Sequence, residues 1–132
     1  MTTGLHDIPG THREWVTSNG YTGSTDDGLR DALWRAPFDC NLHEVNVFFQ
    51  GTADVAGGTA GDYFTLTLYD GTVPIATAGL EGTVQFGSAL AAFSGTQAMS
   101  GDDALAVQYG TAGGTAALDM PRATFEVQYK AR

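Results

Sequence analysis

Three histidines, His6, His12 and His43, and one cysteine, Cys40, are the residues of this 132-residue chain that could serve as nucleophiles or soft metal ligands. Successive histidines stand six and thirty-one residues apart, a spacing that fits no zinc-ligand pattern, and the cysteine has no second thiol beside it. A Cys40–His43 nucleophile pair would need the two side chains to meet. At this spacing on a strand they point to opposite faces. Cys40 therefore reads as a small core hydrophobe, and His43 as a solvent-face residue near the start of its strand. Among the acids, Asp26-Asp27-Gly28 with Asp31 has oxygen ligands for calcium but lacks the alternating acids that precede the glycine of an EF-hand. Asp102-Asp103 falls in a turn, where Asp is favoured for bonding its own backbone. A hydrolytic carboxylate pair needs a defined separation in space, which spacing along the chain does not supply. Neither a Gly-x-Ser-x-Gly elbow nor a phosphate loop with its lysine occurs. The expectation is a protein that is not an enzyme and needs no metal or cofactor.

The elements that would have to position any site read as strands. Val45, Val47 and Phe49 alternate with Glu44, Asn46 and Phe48, and Phe64, Leu66 and Leu68 with Thr65, Thr67 and Tyr69. After Asp70-Gly71 the alternation resumes at Val73, Ile75 and Thr77. Two period-2 runs around that dipeptide predict a hairpin with a type I′ turn. Pro74 places its second arm at a sheet edge or at its own start. Leu105-Val107-Tyr109 and Phe125-Val127-Tyr129 predict two more strands, and residues 83–86 a short one; residues 89–93 fit either a strand or a helical turn. Leu29, Asp31 and Leu33 also fit both, and the strand is preferred because Pro37 follows before a helical face develops. Gly51 to Asp62, with Gly57-Gly58, reads as a loop, as does Gly113-Gly114. Before residue 29 no period is sustained, although Trp15 and Tyr21 flank the turn dipeptide Asn19-Gly20. The predicted organisation is an extended N-terminal arm over residues 1–28 and, over residues 29–132, an antiparallel β-sandwich or jelly roll of roughly eight strands.

Composition agrees. The 18 glycines amount to about twice average usage and are spread along the chain, as turn punctuation between short strands would be. The first fifteen residues, MTTGLHDIPGTHREW, lack the apolar run and basic flank of a signal peptide, and no stretch approaches the roughly 20 apolar residues of a membrane helix. The formal charge is −9, which opposes non-specific nucleic-acid binding. All six cations lie towards the ends, as Arg13, Arg30, Arg35, Arg122, Lys130 and Arg132, while residues 36–121 hold nine acids and no Lys or Arg. Such polarity serves solubility or marks the ends as the attachment region.

Two stretches carry a resemblance. Leu33-Trp34-Arg35-Ala36-Pro37-Phe38-Asp39-Cys40-Asn41-Leu42 leads into the first strong strand. Gly101-Asp102-Asp103-Ala104-Leu105-Ala106-Val107 is followed by Gly113-Gly114-Thr115-Ala116-Ala117-Leu118-Asp119-Met120-Pro121 and the last strand. Together, over about residues 33–129, they resemble small capsid decoration proteins and head-fibre bases of tailed bacteriophages. The resemblance implies a non-enzymatic virion protein, made in the host cytoplasm and placed on the capsid exterior. It also implies a homotrimer that cements neighbouring copies of the major capsid protein. Aromatic anchors and arginines dominate such contacts, which singles out Arg13, Trp15, Tyr21, Arg30, Trp34 and Arg35. The alternative is a carbohydrate- or receptor-binding sandwich of a phage fibre or tail, with exposed aromatic rings stacked on sugars.

Overall fold

Strands whose apolar residues fall on every second position must bury one face, and here two such sheets bury theirs against each other. A computed structural model describes residues 10–18, 21–22, 30–50, 55–59, 61–80, 82–84, 89–112, 119–120 and 122–132. Sheet I is built from β1 (His12–Ser18), β12 (Ala123–Ala131), β4 (Cys40–Phe49) and β9 (Leu90–Met99), in the order β1-β12-β4-β9. Sheet II runs β3 (Arg30–Arg35), β10 (Ala104–Ala112), β6 (Asp62–Asp70), β5 (Val55–Thr59) and β8 (Gly82–Val84), and β7 (Val73–Gly79) pairs with β6 outside that path. A small ribbon joins β2 (Tyr21–Thr22) to β11 (Asp119–Met120). Every pairing is antiparallel, and the described residues contain no helix. The chain is an all-β antiparallel sandwich.

The core follows from the alternation. Leu42, Val45, Val47 and Phe49 of β4 and Phe125, Val127 and Tyr129 of β12 face Phe64, Leu66 and Leu68 of β6 and Leu105, Val107 and Tyr109 of β10. All of them are buried. Cys40 lies among them, as expected, and burial pushes its thiol up to about 11. A few bonds close the layers. Ser18 Oγ and Tyr109 Oη are 3.0 Å apart across the sheets, and burial pushes that phenol up to about 12. At another point Ala36 N donates to Asp103 O, Asp102 N to Ala36 O and Gly101 N to Asp39 Oδ1. The segment after β3 is thus bonded to the turn before β10.

Four expectations change. Residues 12–18 do run extended, but as the edge strand of sheet I in register with β12 rather than as an arm outside the sandwich. Val16 packs on the core and Ser18 is buried; the strand is polar enough to hide its period. The β6–β7 hairpin is real, yet Asp70 pairs with Val73, so the loop residues are Gly71 and Thr72. Gly71 has φ 63° and Thr72 is not left-handed, the pattern of a type II′ turn with glycine first. Gly57 and Gly58 lie in β5 rather than in a loop. Among the described residues the count rises from about eight strands to twelve, because β1 is too polar, and β2, β5 and β11 too short or too glycine-rich, to show a period; the short strand expected at residues 83–86 is present as β8. Residues 90–93 resolve as strand, within β9, and β7 takes the edge position that Pro74 requires. Asn19-Gly20 and Gly113-Gly114 lie outside the described residues.

Candidate functional site

β1 and β3 are the edge strands of their two sheets on the same side of the sandwich, and they lie against each other. Among the described residues this side is therefore a flank with an unpaired ladder on each sheet, and five of the six expected contact residues fall on its two strands. Trp34 Nε1 on β3 donates to Glu14 Oε2 on β1, tying the two edges together. The Trp34 ring packs at 4.8 Å from that of Tyr129 and is only 8% exposed. Trp34 is accordingly a core residue and no surface anchor. The bulge that shifts register between Leu105 and Ala106 lets Leu33 and Trp34 both reach the core, against the alternation expected of a regular strand.

The other residues stay at the surface. Arg13 and Trp15 share the outer face of sheet I: Arg13 Nε is 3.3 Å from Glu126 Oε2, and Trp15 is 55% exposed with its ring 5.6 Å from that of Phe48. Arg30 lies on the outer face of sheet II, its guanidinium 3.7 Å from the centre of the Tyr69 ring and its Nη2 donating to Gln108 Oε1 at 3.2 Å. Arg35, at the end of β3, donates through Nη1 to Asp102 O at 2.9 Å. Tyr21 pairs through its backbone with Met120; its side chain lies outside the described residues. Three exposed arginines thus border one flank of a chain whose formal charge is −9. The two acids of these strands are only half-exposed, and one of them, Glu14, is bonded to Trp34.

A second constellation sits beside this flank, and the sequence reading missed it. Glu126 is on the outer face of β12 yet only 8% exposed. Asn46 Nδ2 donates to its Oε1 at 3.0 Å and Gln128 Nε2 at 2.7 Å. These bonds, with Arg13, hold the carboxyl below its ordinary range against the opposing effect of burial. The only sequence signal is an acid between Phe125 and Val127; Gln128 follows it on the same strand, whereas Asn46 is brought to it by register with β4, 80 residues away.

The groups weighed for chemistry do not come together. His43 Nδ1 lies 3.2 Å from Gly95 O. The His12 ring stacks on Tyr129 at 5.2 Å, edge-on to Phe38, and its Nε2 is buried without a hydrogen-bond partner among the described residues. Asp39 and Asp103 accept backbone N–H groups of Gly101 and Ser100. Among the described residues no three His, Cys, Asp or Glu side chains are grouped as a metal site; His6 and Asp26–Gly28 lie outside them. No helix among them is long and apolar enough to cross a membrane.

No protein-family model matches the chain, and no curated protein matches it. Among solved structures it is similar to a Bacillus endospore appendage, described as a member of a novel family of disulfide-linked pili. The identity is 13% and the TM-score 0.36, over 100% of this chain and 98% of the other. It is also similar to a chain of the infectious bursal disease virus Gt strain, with 12% identity and a TM-score of 0.40, over 92% of this chain and 32% of that one.

Proposed function

We propose that this chain is a non-enzymatic structural protein of a virion exterior, a decoration protein that binds the outer surface of a phage head across major capsid subunits. The observation that carries the reading is the β1/β3 flank, whose two strands present three surface arginines, Arg13, Arg30 and Arg35, on a molecule of net charge −9. Arginine pairs bidentately with carboxylates and stacks on aromatic rings, so such a flank suits a carboxylate-bearing protein surface. An enzymatic role fits less well, because the Cys40 thiol is buried and pushed up to about 11, and Asp39 and Asp103 serve turn hydrogen bonds. Of the two stretches that carry the phage resemblance, residues 33–42 and the 101–107 part of the second lie together, joined by the β3–β10 pairing and the Asp39–Gly101 bond. The working form is a homotrimer in this reading, and light scattering of the purified chain tests it: a monomer both free and on the shell would reject the trimer.

The attachment test is co-sedimentation with heads of the tailed phage that encodes the chain. The parent should saturate the shell, and the Arg30→Glu/Arg35→Glu variant should lose at least about tenfold in affinity. Full occupancy by that variant would place the anchor elsewhere.

A further inference from the structure

The outer face of sheet I carries three rungs across β1, β12 and β4, set by register: Arg13–Gln128–Glu44, Trp15–Glu126–Asn46 and Thr17–Thr124–Phe48. Strands lie about 4.8 Å apart and alternate residues about 6.8 Å apart along a strand, so the nine side chains cover an area matched to one or two sugar rings. We propose that this face is a binding site for a neutral pyranose, with Trp15 and Phe48 as the stacking shelf and the Arg13–Glu126–Asn46–Gln128 network as the hydroxyl-binding rim.

The shelf has an exposed member, Trp15, and a half-buried one, Phe48. Trp15 is held against Phe48 with the rings inclined at 45°, and a Trp side chain has only two torsions to fix on binding. The rim is preorganised. Asn46 and Gln128 turn amide N–H groups towards Glu126, which leaves their carbonyl oxygens as acceptors for a ligand. Asn46 also reaches Glu44 Oε2 at 3.5 Å. Arg13 bonds Glu126 through Nε, leaving its two Nη groups as donors. A ligand here must present an apolar plane to the rings and, at its edge, hydroxyls that donate to fixed oxygens and accept from a guanidinium.

Other ligand classes fit less well. A phosphate or carboxylate would be repelled by Glu44 and Glu126, and a cation by Arg13. A purely apolar surface would strip water from the ion pair without replacing its hydrogen bonds. A pyranose has a C–H face and a hydroxyl rim, and carries no charge. The site shares Arg13 and β1 with the flank, but Arg30 and Arg35 lie on β3 outside it, so the Arg30→Glu/Arg35→Glu variant lets the two readings fail separately.

The test is an array of neutral hexose and N-acetylhexosamine oligosaccharides probed with the full chain, followed by a tryptophan-fluorescence titration with the strongest binder. Retention of at least one neutral oligosaccharide is expected. Trp15→Ala and, separately, Glu126→Gln should each weaken its binding by about tenfold or more, while Arg30→Glu/Arg35→Glu, which loses the shell, should keep it. Absence of any neutral sugar from the array would overturn the proposal, as would undiminished binding by either site variant. A parent that binds sugar but not heads would overturn the shell reading alone.

Discussion

Asp70 and Glu126 are carboxylates that the fold treats in opposite ways, and their pH responses should therefore oppose each other. Asp70 ends β6, where burial raises its pKa above the ordinary 3.8, Gln97 offsets part of the rise and Asp103 adds to it. A raised folded value means that the protonated form is favoured: the stabilisation is full below the ordinary range and is lost as pH rises through the folded pKa. Asp70→Asn should then raise the Tm at about pH 7 and leave it nearly unchanged at about pH 3. Glu126, lowered from 4.5 first by Asn46 and then by Gln128, stabilises above its ordinary range and loses that stabilisation as pH falls. Glu126→Gln should thus lower the Tm at about pH 7 and leave it unchanged at about pH 2. Melts of both variants at the two ends of the range check the signs. Equal shifts at both ends would show that shape rather than charge governs either position. Trp34 belongs to the same scale. Trp34→Ala removes a packed indole and leaves Glu14 without its N–H donor, and the loss expected from urea denaturation is about 3–5 kcal/mol. A loss below about 1 kcal/mol would mean that the indole is not a core anchor.

At the scale of elements, β1 is the strand whose role changes most between sequence and structure. It covers the edge of β12, places Val16 on the core, and links to sheet II through Glu14–Trp34 and Ser18–Tyr109. Deleting residues 1–18 should lower the urea midpoint, with a loss of more than about 2 kcal/mol, and promote aggregation through the uncovered β12 edge. A midpoint equal to that of the parent would restore the separable arm that the sequence suggests. The strands β4, β6, β10 and β12 were legible because large apolar residues recur at every second position and one face of each is fully buried. β1 was not, since its inward residues are His12, Glu14, Val16 and Ser18, only one of them aliphatic. The II′ loop at Gly71-Thr72 differs from the expected turn by one residue, a register detail that Asp-Gly alone does not fix. For the candidate site, exposed arginines and Trp15 could be picked out by type, but Glu126, Asn46 and Gln128 could not. Glu126 and Gln128 neighbour each other on β12, but Asn46 joins them only through a β4–β12 pairing of distant parts of the chain.

Over the whole molecule three of the six cations, Arg13, Arg30 and Arg35, stand on β1 and β3 and Lys130 is exposed on the adjacent β12, while Arg132 lies away from them against Cys40 O and Met99 O. A surface of this kind gives salt-sensitive association, because screening shortens the reach of charges from about 30 Å at 0.01 M salt to about 8 Å at 0.15 M. The pyranose site relies on stacking and short hydrogen bonds from an uncharged ligand to fixed amides and to an arginine already paired with Glu126, which salt screens little. Raising salt from about 0.05 M to about 0.5 M should therefore slow shell association and weaken occupancy several-fold. Sugar affinity at the Trp15–Glu126 face should change by less than about twofold over the same range. Stopped-flow association with heads and fluorescence titration with sugar, run in the same buffers, measure the two together. Salt-independent shell binding would mean that attachment rests on apolar contact and that the arginines of the flank serve solubility alone. A steep fall in sugar affinity would mean that the ligand carries charge and that the acceptor-rich rim has been assigned the wrong partner.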